Sequence, residues 1–278
     1  MVATATIPQP EVVYRHSLMV RITHWVNALC LLVLLMSGLQ IFNAHPTLYF
    51  GSTSEPDRAV LGLDAVERDD GSYAGVTTIG GYAFDTTGVL GLSRGPSGRI
   101  EARGFPQWLT LPSYRDLATG RRWHFFFAWL LVFNGLAYLA YSFLSGHVHR
   151  DLSPTRDELK HIGHSISEHA RLRFPKGEEA KRYNVLQKLA YLAVIFGLLP
   201  LVFLTGLTMS PAMDAAYPFL LDIFGGRQSA RTIHFLCAFG LTAFFIVHIV
   251  MVFLSGAFNN IRSMITGRYA IEPEEPRS

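Results

Sequence analysis

Of the eleven histidines in the chain, four stand where an ionisable side chain is costly to place. His24, His124, His234 and His248 fall in long stretches that carry no Asp, Glu, Lys or Arg, and an ionisable group inside an apolar span is a functional candidate by default. A lone imidazole of this kind is as readily an interhelical hydrogen bond as a ligand, so the spacing has to decide. His234 and His248 are 14 residues apart, which in a helix leaves them about 40° apart around the axis and about 21 Å apart along it. They point the same way at two depths. If two other helices bring His124 level with His234 and His24 level with His248, two facing pairs result, each able to hold a planar cofactor from both sides. Haem iron is the metal that takes two axial imidazoles across a flat macrocycle. With no Cys-x-x-Cys-His motif for covalent attachment, the group is b-type. The expected ligands of two haem b are therefore His24 with His248 and His124 with His234.

Such pairs need helices that run alternately in opposite directions. The 278 residues are 50% hydrophobic and only 16% charged, with a mean hydropathy of +0.25, against about 25% charged in a soluble domain. Residues 22–54, 123–149, 189–213 and 232–261 are free of formal charge, and each is longer than the roughly 20 apolar residues a spanning helix needs. The expected fold class is an all-α integral membrane protein: a four-transmembrane-helix bundle with a long extracytoplasmic insertion between helices one and two. The spans read as 22–42, 123–146, 188–209 and 231–256. Between and around them lie an N-terminal tail (1–21), a docking segment (43–122), a loop with an amphipathic helix (147–187), a short loop (210–230) and a C-terminal tail (257–278). Helices two and four then run one way and helix one the other, which levels His124 with His234 and His24 with His248.

Orientation follows from Lys and Arg near the helix ends. With the N-terminus inside, ten lie on the inner side (Arg15, Arg21, Arg150, Arg156, Lys176, Lys181, Arg182, Lys188, Arg262 and Arg268). Six lie on the outer side (Arg58, Arg115, Arg121, Arg122, Arg227 and Arg231). This places both termini in the cytoplasm of a bacterial inner-membrane, multi-pass protein. Three of the four histidines also carry an arginine three residues earlier: Arg21 before His24, Arg121 before His124 and Arg231 before His234, with Arg122 adjacent. A cation at a helix N-terminus opposes the macrodipole, so something anionic should compensate. Haem propionates would do so directly; lipid phosphate reached by snorkelling is the alternative. Gly38, 14 residues after His24, falls at the depth of the outer pair, where a missing side chain would let a macrocycle approach, or where two helices would pack closely.

The segment of about 80 residues between the first two spans is too long for a simple connection. Its middle is rich in Gly and Thr with little apolar content, and residues 104–112 form an aromatic, proline-bounded stretch suited to the membrane interface; the segment reads as an external docking cap. In the inner loop, Ser153 and Pro154 suit a helix start, and Leu159, Ile162 and Ile166 recur on one face. His161, His164 and His169 read as its solvated face. A net charge of +3 without a basic block excludes a nucleic-acid partner. Cys30 and Cys237, both in apolar windows, give neither a disulfide framework nor an iron–sulfur site.

Four motifs carry a resemblance: His24-Trp25-Val26-Asn27-Ala28 opening the first helix, Ser37-Gly38-Leu39 closing it, Tyr183-Asn184-x-x-Gln187-Lys188 before the third, and the paired histidines of the last. The chain resembles the bacterial cytochrome b561 and nickel–iron hydrogenase b-type cytochrome family, which includes formate dehydrogenase gamma subunits. Leu109-Thr110-Leu111-Pro112 and Gly120-Arg121-Arg122-Trp123-His124-Phe125 are similar to the branch of thiosulfate reductase cytochrome b subunits. The resemblance implies electron transfer between a quinone, as diffusible substrate near the inner haem, and a periplasmic redox partner subunit such as a molybdopterin oxidoreductase, with membrane lipid around the helices. By topology Asn184, Gln187 and Lys188 lie level with the inner haem, where amide and ammonium donors suit quinone carbonyls; a helix cap and a positive-inside lysine are the alternative. The chain would thus be an electron-transfer subunit of an oxidoreductase complex. A stand-alone quinone oxidoreductase of the superoxide-oxidising type and a haem-free transporter or sensor are the competing classes. The sequence leaves oligomeric state open.

Overall fold

The computed structural model describes residues 11–171 and 183–271. Lys176, Lys181 and Arg182, counted above toward orientation, lie outside the described residues. The structure is mostly helical, with four helices long and apolar enough to cross a membrane: Leu18–Phe42, Leu117–Leu144, Val185–Thr208 and Arg227–Leu254. Three are unbroken and are called α1 (Leu18–Phe42), α2 (Leu117–Leu144) and α9 (Arg227–Leu254). Asp116 starts α2 by accepting a 2.9 Å hydrogen bond from the Thr119 amide, as N-cap carboxylates do. Each span starts before its charge-free window, because a basic residue can occupy the first turns of a helix whose apolar part lies deeper.

The third span is interrupted. It comprises α5 (Val185–Ala193), a wide π turn (Val194–Leu198) and α6 (Leu199–Thr208). Pro200 explains the break: it has no amide hydrogen to give the preceding turn and its ring crowds it, and a π turn absorbs the mismatch. Short helices complete the set: α3 (Arg156–Lys160), α4 (Ile162–Ala170), α7 (Pro211–Ala216), α8 (Phe219–Phe224) and α10 (Ala257–Thr266). The start of the 156–170 region is Thr155 rather than Ser153: Thr155 and Glu158 form a reciprocal capping box, whereas the Ser153 hydroxyl donates back to Val148 at 2.9 Å.

The all-α expectation is corrected by the segment between α1 and α2. Strands β2 (Thr47–Leu48), β3 (Leu61–Glu67), β4 (Tyr73–Ile79) and β5 (Tyr82–Asp85) form one antiparallel sheet in that order, and β6 (Leu92–Arg94) pairs with β7 (Ile100–Ala102). Leu63 faces Thr77 across β3 and β4, and Thr77 faces Phe84 across β4 and β5. The physical reason lies in Gly80-Gly81, which link β4 to β5 with positive φ at both residues, the backbone a two-residue hairpin requires. Flanking Thr, Val, Ile and Tyr then suit a pleated, half-buried surface.

By internal packing the chain divides into two compact units, residues 1–26, 134–197 and 241–278, and residues 27–133 and 198–240. In the first, β1 (Glu11–Tyr14) pairs antiparallel with β8 (Arg268–Ile271), which ties the two ends of the described chain together. In the second, Leu39 and Phe42 at the end of α1 form a buried cluster with Leu48, Leu63 and Phe105 of the segment that follows. Arg103, 4% exposed, bonds Thr110 Oγ1 at 2.8 Å, the Ser113 carbonyl at 2.7 Å and Gln40 Oε1. Both terminal nitrogens of this buried guanidinium are engaged and tie the segment to α1, which offsets part of the cost of burying a charge, while its Nε has no hydrogen-bond partner among the described residues.

Candidate functional site

In the second unit, α2 and α9 present His124 and His234 with ring centres 6.2 Å apart and planes at 58°. In the first unit, α1 and α9 present His24 and His248 with ring centres 6.1 Å apart and planes at 52°. Imidazole nitrogens bind metals at about 2.0–2.1 Å, and adding roughly 1 Å from nitrogen to ring centre puts trans imidazoles about 6.3 Å apart across one ion. Both separations fit a metal held between the rings.

The donor chemistry fits as well. Ser37 Oγ donates its hydrogen to the Val33 carbonyl at 2.6 Å and is 3.1 Å from His124 Nδ1. With its proton spent, the hydroxyl must accept, so Nδ1 carries the imidazole hydrogen and Nε2 keeps a free lone pair. His234 reaches the same state: its Nδ1 lies 2.8 Å from the Val202 carbonyl, which can only accept, and 3.3 Å from Thr205 Oγ1, itself donating to the Leu201 carbonyl at 2.7 Å. A ligand histidine whose other ring nitrogen donates to a fixed acceptor is the usual arrangement at a metal. The pair in the first unit differs, since His24 Nδ1 is buried without a hydrogen-bond partner among the described residues. His248 stacks on Phe244, centres 6.0 Å apart.

Gly38 packs on the His124 imidazole: a Cβ there would lie 3.4 Å from His124 Cε1. The glycine thus lets the histidine ring lie against the backbone of α1. Gly206 does the same for His234, with a Cβ position 3.3 Å from Cε1. Ser37, Thr205 and Gly206 carry no site role in the sequence reading. The signal was there, in Ser37-Gly38-Leu39 and Thr205-Gly206-Leu207 as matching tripeptides on two spans.

The arginines separate into two kinds. Arg21 donates to the Ile265 carbonyl at the end of α10, and Trp25 Nε1 donates to the Met264 carbonyl at 3.0 Å. Arg231 donates to the Thr47 carbonyl at 2.6 Å and to the His45 carbonyl, with Phe42 beneath it at 5.3 Å. Backbone carbonyls thus accept from both, while Arg21 Nε is buried without a hydrogen-bond partner among the described residues. Arg121 and Arg122 are exposed: Arg121 lies 5.7 Å over the Phe125 ring, and Arg122 makes a 3.3 Å bond to Thr119.

At the start of α5, Asn184 Oδ1 accepts from the Leu186 amide at 2.9 Å and Gln187 Oε1 accepts from the Asn184 amide at 3.1 Å. This capping box spends both amide oxygens and no hydrogen bond among the described residues occupies either NH2 group. Lys188, 5% exposed, pairs with Glu158 at 2.9 and 3.0 Å, so its ammonium ties α5 to α3 instead of standing free. In the same unit His16, 9% exposed, lies 3.4 Å from the Tyr183 hydroxyl. Burial, reinforced by Arg15, pushes its imidazole down to about 4, which keeps it neutral.

Four membrane-length helices with two facing histidine pairs define a membrane b-type cytochrome with an electron-transfer role. Residues 15–267 match the family model described as prokaryotic cytochrome b561, and the chain belongs to that family. It is 27% identical over 250 residues, 88% of this chain and 92% of the relative, to a protein of Azospira oryzae named "Putative protein-methionine-sulfoxide reductase subunit YedZ1". No solved structure matches the chain.

Proposed function

We propose that the protein is a di-haem b cytochrome carrying electrons between a membrane quinone and a redox partner subunit on the opposite face of a bacterial inner membrane. The observation that carries this reading is the pair of same-chain histidine couples at 6.1 and 6.2 Å. His24 with His248 and His124 with His234 would hold the two haem groups. Haem iron supplies one-electron oxidation and reduction when bound, and the protein's work is to hold, orient and tune it. Arg121, exposed one turn before His124, and the adjacent Arg122 are placed to meet propionates, while Arg21 and Arg231 brace the surrounding backbone.

Quinone exchange is assigned to the end of the molecule bearing His24 and His248. Asn184 and Gln187 keep amide donors there for a quinone carbonyl, with their oxygens fixed in the helix cap. With both termini cytoplasmic, as the Lys and Arg count favours, the folded segment 43–116 faces the periplasm. A diffusible small substrate needs no such cap, whereas a docked subunit does. The relative named as a subunit of a reductase acting on protein methionine sulfoxide supports a periplasmic oxidoreductase as that partner. The test is to add a short-chain quinol to the purified, oxidised protein. Reduced b-type α-band absorption developing at catalytically useful rates is expected; a haem-loaded protein that quinol never reduces would rule out the quinone assignment.

A further inference from the structure

The environment of the His124–His234 pair is duplicated on two different helices. On α1 the order is Leu34, Ser37, Gly38, Leu39; on α6 it is Val202, Thr205, Gly206, Leu207. In each copy a hydroxyl, fully buried at 0% exposure, lies beside a histidine Nδ1, 3.1 Å at Ser37 and 3.3 Å at Thr205. In each copy the next residue is a glycine whose Cβ position falls 3.3–3.4 Å from that histidine's Cε1. A buried Ser or Thr in an apolar helix satisfies itself by bonding the preceding turn, as both do here, so neither hydroxyl needs the histidine. Each hydroxyl instead offers its oxygen to a histidine Nδ1–H, at His234 alongside the Val202 carbonyl at 2.8 Å.

We infer that Ser37 and Thr205 are positioning residues for this pair: each fixes its imidazole in the tautomer with Nε2 bare, strengthens it as a ligand and lowers the reduction potential of the haem it holds. The direction follows from charge. Donation from Nδ1–H to an oxygen makes the ring more basic, and a more basic axial ligand favours the ferric state. Gly38 and Gly206 allow the rings to lie against the helices that carry these acceptors. The inference rests on the haem reading of His124 and His234.

The test is an anaerobic redox titration of the purified chain, followed in the α-band and by low-temperature electron paramagnetic resonance. The relevant component is identified by its absence in His124→Ala. Thr205→Val, nearly isosteric, and Ser37→Ala should each raise the reduced-to-oxidised ratio of that haem at fixed potential about fivefold, which is about 40 mV at 59 mV per tenfold. Its resonance should shift with them, and Thr205→Ser should stay within about twofold of the parent. Unchanged potentials in Thr205→Val and Ser37→Ala with both haems present would overturn the inference. If Thr205→Val loses the haem and Thr205→Ser keeps it, the hydroxyl is required and the inference stands; equal loss in both makes the position one of packing volume and overturns it. A parent chain without haem would remove the underlying reading, and the inference with it.

Discussion

The imidazole of His234 donates through Nδ1 to the carbonyl of Val202 across 2.8 Å. This bond, with the Thr205 hydroxyl at 3.3 Å, leaves Nε2 as the ring nitrogen free to bind a metal. It also shows that the third span, although it carries no histidine ligand, takes part in the site through its backbone. The π turn before Pro200 is the local feature that precedes the α6 segment bearing that carbonyl.

Ligand substitution should separate the two sites. His124→Ala or His234→Ala is expected to leave one haem per chain, as is His24→Ala or His248→Ala, because each pair lies within its own unit. His147→Ala and His149→Ala should leave both, since His147 Nδ1 is engaged with Asp151 at 2.7 Å. Pyridine haemochrome assay of each variant reads the outcome, and loss of a haem from His149→Ala would require a different pairing.

The arginines should divide in their effects. Arg121→Gln removes an exposed positive charge near the His124 site and should lower that haem's potential by on the order of 20 mV, a surface-type Coulomb effect. Arg231→Gln strands the His45 and Thr47 carbonyls and should instead destabilise the protein by about 1–2 kcal/mol. Thermal unfolding and redox titration of both variants would show the division; identical behaviour would refute it.

At the quinone end, charge-preserving logic gives way to donor-deleting logic. Asn184→Asp keeps the N-cap oxygen and Gln187→Glu keeps the capping box, while each loses its NH2 group. Stability should change by less than about 0.5 kcal/mol. Quinol-linked haem reduction should slow about fivefold, the cost of one hydrogen bond of about 1 kcal/mol. Parental kinetics in both would send the site elsewhere.

The Glu158–Lys188 pair should appear in the acid limb of stability. Burial alone would push the Glu158 carboxyl up, but hydrogen bonds from Lys188 and Thr155, with the Lys188 charge, hold it below its ordinary value of 4.5. A carboxyl depressed in the folded state contributes stability that is present above 4.5 and lost as pH falls through its folded value. Glu158→Gln should flatten that loss and cost roughly 1–3 kcal/mol at neutral pH, part of it screened because the carboxylate is partly exposed. An unchanged acid limb in thermal melts would contradict the assignment.

How far the sequence could be read follows from which interactions are local. Charge-free windows register the loss of hydration directly, so four candidate spans and membership of a b-type cytochrome family were legible from residues such as His24, His234 and Arg121. The β-hairpin at Gly80-Gly81 was equally local and was missed because composition over residues 71–98 was weighed without the turn chemistry. The carbonyls that accept from Arg21 and Arg231, those of Ile265, His45 and Thr47, were not legible because they are backbone atoms remote along the chain. Lys188 was likewise hidden by a carboxylate 30 residues away. The contact of Gly38 with His124 depends on a helix crossing that spacing does not specify.

The central claim is most directly tested by the haem content and ligation state of the purified chain. Pyridine haemochrome analysis against protein concentration, with paramagnetic resonance on the oxidised sample, should give two b haems per chain, both low-spin with two nitrogen axial ligands. A value of one or none, or a high-spin five-coordinate signal from the parent protein, would contradict it.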